Sequence, residues 1–423
     1  MDISYNIIIA AALLLLSPYW GIRMALDPPF RSEVMLRLRQ WKSVPRLTGS
    51  LWIHASSFGE VRVAALLVRA LQQKFPGRPV VLSTFTRTGE ALAREELTCT
   101  VFRLPLDLPF LVNPLLKRLD PAVLILIEAE FWPNLLRSCK RQRIPVLLAN
   151  GRLSAKSFAR YRKLRTWFQW LTGGIRIFAM RSQPEADRLL KLGIDPARVR
   201  VGGNMKFDAL SEDGGASAPK AAQIGENTVI FGSTRPGEER AIANAISQFS
   251  QNPLNWKFII APRHVQRCRE VEDILKDSGL TVTRHSELQN GAESGPATVL
   301  LVDTLGVLND YYRTGKVAFV GGGFDPKHGG HNILEPALLG LPVLYGKHMG
   351  NFEEEARLLA ESGGGIPIDR PEDLTPALEK LLSDPDEICR RGILAAETAR
   401  QHQGAVGRNL DWIQFLLEKG TTT

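Results

Sequence analysis

The alternation of short apolar strands with helix-length segments, which begins near residue 50 and occurs twice, constrains the fold of this chain more than any other feature. In the first half, strands are predicted at 51–55, 79–84, 123–127 and 145–149, and helices at 61–75, 89–97 and 132–141. In the second half, strands are predicted at 228–232, 256–261, 299–302, 317–320 and 340–346, and helices at 238–248, 267–278 and from 335 onward. Strands alternating with helices of this length form parallel sheets covered on both faces. The sequence therefore predicts an α/β protein with two doubly wound sheets.

A small, polar stretch rich in helix-breaking residues separates the two halves and is predicted to be a linker. The chain has 423 residues, which is sufficient for two domains. The predicted division comprises a membrane anchor, a first α/β domain, the linker, a second α/β domain, and a terminal helix with its tail, at 1–24, 25–210, 211–226, 227–405 and 406–423. Because ligands bind at the carboxyl ends of the strands in such sheets, the predicted site is a cleft between the two domains.

The amino terminus contains ten consecutive apolar residues at 7–16. A helix that spans a bilayer needs about 20 apolar residues, so this segment either sits in one leaflet or spans with help from Tyr19 and Trp20 at the interface. An apolar helix docked in the core is the alternative. Several cations follow the segment, namely Arg23, Arg31, Arg37, Arg39 and Lys42. The positive-inside rule then places the body of the protein in the cytoplasm.

The formal net charge of +9 is concentrated in one interval without acidic residues, between Glu130 and Glu185. Its twelve cations are Arg137, Lys140, Arg141, Arg143, Arg152, Lys156, Arg160, Arg162, Lys163, Arg165, Arg176 and Arg181. This interval is either a solvated basic face or a surface that attracts anionic lipid headgroups or a phosphorylated substrate. No nucleic-acid-binding motif accompanies the charge, so nucleic acid is not a predicted partner.

Metal binding and disulfide bonding are not predicted. The four cysteines are scattered along the chain, which fits a reducing compartment. Among the histidines, His328 and His331 are close together in sequence, but no cysteine lies beside them.

Three groups in the first half are candidates for catalysis. Glu60 follows the first strand near the next helix start, where the helix dipole favours an ionised carboxylate that could accept a proton from a hydroxyl. Glu128 and Glu130 end an apolar strand and would share a face if that strand continued. Ordinary helix capping is the alternative for all three carboxylates. Lys206, just before the linker, could stabilise a departing phosphate or be an exposed lysine.

The segment 317–336 predicts a nucleotide-sugar site in the second half. A strand runs into a glycine-rich loop, whose backbone can approach a ligand closely, and then into a predicted helix start at 331–335. The unpaired N–H groups of a helix start can bind phosphate, and Glu335 could hold ribose hydroxyls. Loops at 232–237, 261–264 and 303–306 follow other predicted strands, so Ser233, Thr234 and His331 are candidate donor contacts.

Together these motifs resemble the 3-deoxy-D-manno-octulosonic acid (Kdo) transferase family of lipopolysaccharide synthesis. The residues that carry the resemblance are Trp52-Ile-His-Ala-Ser-Ser-Phe-Gly-Glu60, Glu128-Ala-Glu-Phe-Trp-Pro-Asn134, Ala149-Asn-Gly-Arg-Leu-Ser154, Gly203-Asn-Met-Lys-Phe-Asp208, Ala261-Pro-Arg-His264 and Gly329-Gly-His-Asn-Ile-Leu-Glu-Pro336. The resemblance implies a GT-B fold, in which two Rossmann-like domains face a cleft, with an amino-terminal membrane anchor. It also implies inverting transfer of Kdo from CMP-Kdo to a lipid A precursor, lipid IVA, at the cytoplasmic face of the inner membrane, without a metal or other cofactor.

The resemblance also assigns roles to residues. The family's general base falls on Glu60, and the two groups expected to stabilise the transition state fall on Glu130 and Lys206. The implied CMP contacts fall on Pro262, Arg263, Leu305, Gly306, Val307, Asn332, Ile333, Leu334 and Glu335. The chain departs from the family pattern at Ala129, usually Thr, and at 305–307, usually Met-Gly-Glu. Because Val307 has no polar side chain, any contact with the nucleotide there must come from its backbone.

Two other functions fit the same predicted fold. A nucleotide-sugar epimerase or hydrolase would need no lipid acceptor, so the apolar segment and the acid-free basic interval argue against it. A lipid-binding protein without catalytic activity would not need Glu60 or the carboxylate pair.

Overall fold

The computed structural model describes residues 2–208, 227–249, 256–289 and 299–420. The predicted linker at 211–226 lies outside the described residues. The chain divides into two compact units. The first unit is Met1–Ala209 with Gln403–Thr423, and the second unit is Leu210–His402.

The first unit contains a parallel sheet of seven strands in the order β3-β2-β1-β4-β5-β6-β7. The strands are β1 (Ser50–His54), β2 (Val80–Thr84), β3 (Thr100–Arg103), β4 (Pro121–Ile127), β5 (Val146–Gly151), β6 (Ile175–Met180) and β7 (Val199–Val201). The helices are α1 (Asp2–Leu26), α2 (Pro28–Arg39), α3 (Phe58–Lys74), α4 (Arg87–Glu96), α5 (Pro109–Leu119), α6 (Pro133–Arg141), α7 (Ala155–Lys163), α8 (Arg165–Leu171) and α9 (Gln183–Lys191). The strand order reverses between β1 and β4, where doubly wound sheets bind their ligands.

Both faces of this sheet are buried, as a parallel sheet requires. Along β4, Val123, Ile125 and Ile127 belong to one apolar cluster, and Leu124 and Leu126 belong to the cluster on the opposite face. Successive side chains of a strand point to opposite faces, so one apolar run supplies both core layers. The run of apolar residues without alternation in β4 is therefore explained by its central position.

The amino-terminal helix α1 is longer than the apolar run predicted from the sequence. It is a continuous helix of 25 residues that includes Pro18. The segment Tyr5–Leu26 is long and apolar enough, by length and composition, to cross a membrane, and none of its apolar window is buried. It is therefore not a core helix. The following helix α2 begins with Pro28 and is capped by Asp27, whose Oδ1 accepts a hydrogen bond from the Phe30 N–H at 3.0 Å.

The second unit contains a second parallel sheet of seven strands, in the order β10-β11-β9-β8-β12-β13-β14. The strands are β8 (Thr228–Thr234), β9 (Lys257–Pro262), β10 (Val282–Arg284), β11 (Val299–Leu301), β12 (Val317–Val320), β13 (Val343–Gly346) and β14 (Gly365–Ile368). The helices are α10 (Glu239–Phe249), α11 (Cys268–Asp277), α12 (His285–Gln289), α13 (Leu308–Tyr312), α14 (Leu334–Leu338), α15 (Glu353–Ser362), α16 (Leu374–Leu382) and α17 (Pro385–Gln401). Its strand order reverses between β8 and β12.

The last helix, α18 (Ala405–Gly420), belongs to the first unit, where it packs on α3 and β4. Asp208 fixes its start, because the carboxylate accepts hydrogen bonds from the N–H groups of Gly404 at 2.7 Å and Val406 at 2.6 Å. A carboxylate in this position satisfies donors that a helix start leaves open.

The prediction of two doubly wound α/β sheets is confirmed, and every predicted strand is present within two or three residues of its predicted bounds. The sequence missed β3, β6, β7, β10 and β14. Four of these, β3, β7, β10 and β14, lie at a sheet edge and have only three or four residues, too few for an alternating pattern to stand out. In β6 the apolar run is interrupted by the exposed Arg176.

Candidate active site

Glu60 lies in the first turn of α3, directly after β1. Ser57 caps this helix, and its Oγ accepts a hydrogen bond from the Glu60 backbone N–H at 3.3 Å. The Glu60 carboxylate in turn accepts hydrogen bonds from the Ser56 N–H at 2.7 Å and from the Ser57 hydroxyl at 2.9 Å. This reciprocal arrangement is a form of capping box. Glu60 therefore does take part in capping the helix, which was the alternative to catalysis in the sequence analysis. The same hydrogen bonds fix the position of its carboxylate.

The surroundings of Glu60 raise its pKa to about 7. Burial is the largest cause and the negative charge of Glu130 is the next, whereas the hydrogen bonds from Ser56 and Ser57 lower the pKa. The helix dipole favours an ionised carboxylate at this position, but burial and a like charge outweigh it. A carboxyl group whose pKa lies near neutrality is suited to accept a proton from a hydroxyl at physiological pH.

Glu130 lies beside His54, the last residue of β1, and both contact the Trp132 indole. Trp132 Nε1–H donates to Glu130 Oε2 at 3.0 Å and lies 3.1 Å from His54 Nε2. The buried His54 ring has its Nδ1 3.1 Å from the Ser83 carbonyl oxygen and its Nε2 3.8 Å from Glu130 Oε2. The same Nδ1 lies 2.9 Å from the Ser83 hydroxyl oxygen, so Ser83 holds the ring from one side and Trp132 from the other.

The pKa of Glu130 is lowered, in contrast to that of Glu60. Burial raises it, but the contacts with His54, Ser56 and Trp132 together outweigh burial. At neutral pH the site therefore contains one ionised carboxylate beside a second that titrates near pH 7. Two acids whose surroundings separate their pKa values in this way are typical of catalytic pairs with different roles.

The prediction that Glu128 and Glu130 share a strand face is wrong. The strand ends at Ile127, and Glu128 adopts a φ of 62°, in the left-handed region, so the chain turns there. The capping alternative also fails for these two carboxylates. The start of α6 is capped by Asp107 from another loop, whose carboxylate accepts hydrogen bonds from the N–H groups of Asn134 at 2.8 Å and Leu135 at 2.9 Å.

Lys206 lies on a short 3₁₀ turn, Met205–Asp208, that packs on α3. Asn150, fully buried at the end of β5, holds this turn because its Oδ1 accepts a hydrogen bond from the Met205 N–H at 2.9 Å. The Lys206 N–H donates to Asn204 Oδ1 at 3.2 Å. The turn that carries Lys206 is thus fixed against the helix that carries Glu60.

In the second unit, Arg235, His264 and His331 meet at the carboxyl edge of the sheet. They come from the loops after β8, β9 and β12. Arg235 Nε–H donates to His331 Nε2 at 3.0 Å, and Arg235 Nη1–H donates to His264 Nε2 at 2.9 Å. Burial is the largest cause that lowers the pKa of both histidines, that of His331 to about 3, and Arg235 is the next. The cluster therefore carries the positive charge of Arg235 next to two neutral imidazoles.

Glu238 fixes two of the turns that form this cluster. Its Oε2 accepts a hydrogen bond from the Arg235 N–H at 2.9 Å, and its Oε1 accepts one from the Gly322 N–H at 2.8 Å. Burial raises the pKa of Glu238 to about 7. The close approach requires glycine at 321, where an added Cβ would lie 2.4 Å from Glu238 Oε2 and 2.6 Å from the Ser233 carbonyl oxygen. The glycine-rich loop therefore serves close packing between two strand ends.

The remaining predicted donor contacts after β8, β9 and β11 lie on these strand-end loops. Thr234 is buried, and its hydroxyl donates to Glu239 Oε1 at 3.1 Å. Ser233 is half-buried with a φ of 55°. Pro262 ends β9, and the Arg263 N–H donates to the Thr234 carbonyl at 3.1 Å.

The loop 305–307 contains an exposed apolar residue. Leu305 is 70% exposed, and Gly306 has a φ of 87°. Val307 precedes α13 and packs its side chain against an apolar cluster. Its side chain is thus used in the fold, in keeping with a contact to the nucleotide through the backbone only.

The predicted helix start at 331–335 contains a helix of only five residues, α14, which begins at Leu334. Asn332 occupies part of this start, because its Oδ1 accepts a hydrogen bond from the Leu334 N–H at 3.2 Å, while its Nδ2 donates to Glu335 Oε1 at 2.9 Å. Ile333 is buried. Fewer N–H groups are therefore open to an anion than the sequence suggested. The assignments of these residues to CMP stay predictions.

Sequence reasoning gave no role to His54, Trp132, Arg235 and Glu238. The first three lie inside strand-end motifs or a loop that the sequence had singled out, and Glu238 directly follows the loop 232–237. The signal was position, since polar residues directly after an apolar parallel strand collect at one edge of the sheet.

A surface of the first unit, here called the basic surface, consists of five cations of the basic interval together with Arg198. The five are Arg137, Lys140, Arg141, Arg143 and Arg176. These residues line three neighbouring cavities of about 470, 420 and 350 Å³. No acidic residue is among the described residues that line them. The largest of these three cavities is also lined by Asn6, Ile7 and Ala10 of α1. The basic surface therefore borders the apolar helix.

Among the described residues, no group of three or more His, Cys, Asp and Glu side chains is arranged to hold a metal ion. The expectation that the reaction needs no metal stays a prediction.

The fold is similar to that of known nucleotide-sugar enzymes. A UDP-GlcNAc 2-epimerase from Neisseria meningitidis bound to UDP-GlcNAc has a TM-score of 0.56 at 13% identity, covering 86% of this chain and 100% of that one. A glycosyltransferase from Rickettsia africae has a TM-score of 0.54 at 12% identity, covering 88% of this chain and 99% of that one. At these identities the likeness shows the fold alone, and it confirms the GT-B prediction of two Rossmann-like domains.

Sequence comparison is more specific. The family model described as 3-deoxy-D-manno-octulosonic-acid transferase (kdotransferase) matches residues 31–209. The 3-deoxy-D-manno-octulosonic acid transferase of Haemophilus influenzae is 34% identical over 376 residues, which cover 87% of this chain and 87% of that relative. Such identity across most of both chains shows that this chain belongs to the Kdo transferase family of glycosyltransferases.

Proposed function

We propose that the protein transfers Kdo from CMP-Kdo to a lipid A precursor, lipid IVA, with inversion at the anomeric carbon. The observation that carries this proposal is the carboxylate pair at the end of β1 and β4, in which Glu60 has a pKa near 7 and Glu130 a lowered one. Family membership supports the sugar, since relatives are named for Kdo transfer. It does not by itself name the acceptor or the base.

In the proposed reaction Glu60 is the general base. An inverting transfer needs one base that removes the proton of the attacking hydroxyl as the sugar–phosphate bond breaks on the opposite side. Glu60 is held by its capping bonds to Ser56 and Ser57, so its carboxylate is positioned before the acceptor arrives. Glu130 and Lys206 are proposed to stabilise charge in the transition state.

The second unit is proposed to hold CMP-Kdo. Its cationic loop residues at the carboxyl edge, Arg235 and Arg263, suit the phosphate and the acidic sugar of this donor. Binding here would leave CMP as the departing group, whose charge these residues can balance. The base and the donor site would then be contributed by different units of the chain.

We also propose that the protein acts at the cytoplasmic face of the inner membrane. The apolar segment Tyr5–Leu26 supports an anchor, and the neighbouring basic surface supports contact with anionic headgroups or with the acceptor's phosphates. Binding to vesicles with and without an anionic lipid tests this. Arg137→Gln combined with Arg141→Gln should lower binding to anionic vesicles several-fold, whereas the pair Arg46→Gln and Arg87→Gln, exposed residues of the same charge in the same unit, should not. Equal binding by both double variants would contradict the proposal.

Transfer itself is tested with the full purified chain, CMP-Kdo and lipid IVA. Release of CMP together with a Kdo-bearing lipid is expected. Free Kdo without modified lipid would indicate a hydrolase, and binding without CMP release a protein that is not an enzyme. Glu60→Ala should lower the transfer rate by a factor on the order of 100 or more. The exposed Glu95→Ala of α4 serves as the matched control. Transfer by Glu60→Ala at the parent rate would refute the base assignment.

A further inference from the structure

The side chain of Arg235 is held between two histidines rather than by a carboxylate. Its Nε–H and Nη1–H donate to the Nε2 atoms of His331 and His264. Guanidinium groups only donate, so both imidazoles must present a lone pair on Nε2 and carry their proton on Nδ1. Neutral imidazoles orient the arginine without cancelling its charge.

The carboxylates nearest to this arginine in sequence are engaged elsewhere. Glu238 accepts hydrogen bonds from two backbone N–H groups. Glu239 accepts from Thr234 and forms an ion pair with Arg267 at 2.8 Å. Among the described residues, none forms a carboxylate ion pair with Arg235. An arginine that is held in place, and whose positive charge is not paired with a carboxylate of the protein, is suited to bind an anionic group of a ligand.

The proposed donor brings two anions to this edge of the sheet. Kdo is an ulosonic acid, so its carboxylate is bonded to the anomeric carbon that also carries the phosphate in CMP-Kdo. The two negative groups therefore lie within a few ångströms of each other. Resemblance to the family assigns Arg263 to CMP, which leaves the second anion without an assigned partner.

We infer that Arg235, oriented by His264 and His331, recognises the carboxylate of the donor sugar. This inference rests on the proposed function. The planar guanidinium still has N–H donors beyond the two that the histidines accept, and its fork matches the two oxygens of a carboxylate. A sugar nucleotide without a carboxylate would bury this charge unpaired, so Arg235 is a specificity-determining residue that favours acidic sugars.

The test compares three ligands for each variant by calorimetry: CMP, a non-transferable CMP-Kdo analogue with its carboxylate, and the same analogue with a carboxamide. The parent protein should bind the carboxylate analogue about 10- to 100-fold more tightly than the carboxamide. Arg235→Gln should reduce this ratio to near 1 while its affinity for CMP stays within about twofold. Arg240→Gln, an exposed arginine of α10 in the same unit, should keep the parent ratio.

Two results would overturn the inference. One is an unchanged carboxylate-to-carboxamide ratio in Arg235→Gln, and the other is a loss of CMP affinity as large as the loss for the analogue, which would assign Arg235 to the phosphate. Retained CMP binding also shows that the variant is folded. If Arg235→Gln does not fold, Arg235→Lys keeps the charge without the fork, and an intermediate ratio is expected; a parent ratio again overturns the inference. Failure of the parent protein to bind CMP would instead overturn the proposed function, and this inference with it.

Discussion

The raised pKa of Glu60 predicts that replacing Glu60 by Gln changes stability in a pH-dependent way. The folded-state pKa is about 7, against an ordinary value of 4.5. The native state therefore keeps a proton that the unfolded chain releases. The stabilising contribution of the protonated carboxyl is complete below about pH 4.5 and is lost as the pH rises through 7. The difference of about 2.5 pKa units corresponds to a cost of at most about 3 kcal/mol above pH 7 in the parent protein.

Glu60→Gln removes this cost because an amide does not ionise. It also removes one acceptor, since the carboxylate accepts from both the Ser56 N–H and the Ser57 hydroxyl and the amide oxygen replaces only one carboxylate oxygen. The lost hydrogen bond costs about 1 kcal/mol at every pH. The variant should thus be less stable than the parent by about 1 kcal/mol near pH 4.5, and more stable by about 2 kcal/mol near pH 8.

Thermal unfolding followed between pH 4.5 and 8.5 measures this change of sign. For a unit of about 150–250 residues, 1 kcal/mol changes Tm by about 2–4 °C, so the difference between variant and parent should swing by about 6 °C or more. Glu95→Gln, an exposed glutamate of α4, should show no swing. A constant difference in Tm for Glu60→Gln across this range would show that Glu60 titrates like an exposed carboxyl, and the argument for a base poised near neutrality would fail with it.

Two further predictions concern one residue in each unit. Trp132→Phe keeps an aromatic ring but removes the N–H that Glu130 accepts at 3.0 Å, so the pKa of Glu130 should rise and the initial rate of Kdo transfer should fall about tenfold; a parent rate would contradict the role of the indole. Gly321→Ala places a Cβ 2.4 Å from Glu238 Oε2 and should destabilise the second unit by about 1–3 kcal/mol with weaker CMP binding, whereas Gly350→Ala, which meets nothing within 4 Å, should have little effect on Tm or CMP affinity; similar behaviour of the two variants would refute the close-packing argument.

The elements that were predicted correctly from the sequence are those whose apolar pattern along the chain matches their burial in the folded sheet. The strand β4 shows this, because its uninterrupted apolar run is long enough to identify and central enough to be buried on both faces. The position of Glu60 was predicted in the same way, from the apolar strand before it and the helix that follows. The short strands near the sheet edges failed because three or four residues carry too little pattern.

The contacts that define the site could not be predicted, because they join distant parts of the chain. Arg235 meets His331 across 96 positions in sequence, and Trp132 meets His54 across 78. No local pattern specifies such pairs, which depend on strand order. The pKa of Glu60 was misjudged for the same reason, since the helix dipole is a local effect whereas burial and the charge of Glu130 come from the assembled sheet.

Each unit has a glutamate with a raised pKa shortly after the first strand of its sheet, but the two glutamates have different roles. In each, the first strand of the sheet, β1 or β8, leads through a short loop to a glutamate, Glu60 or Glu238. Each glutamate has a pKa near 7 and accepts a hydrogen bond from a backbone N–H a few residues earlier. In Glu238 both oxygens accept from backbone N–H groups, so the carboxyl is committed to joining two turns. In Glu60 the second oxygen accepts from the Ser57 hydroxyl, which can rotate away or accept instead. A carboxylate oxygen that is hydrogen-bonded to a rotatable hydroxyl can accept an incoming proton, because the hydroxyl can turn away. An oxygen that is hydrogen-bonded to a fixed backbone N–H is less able to do so. Glu60 is therefore suited to catalysis, and Glu238 to a structural role.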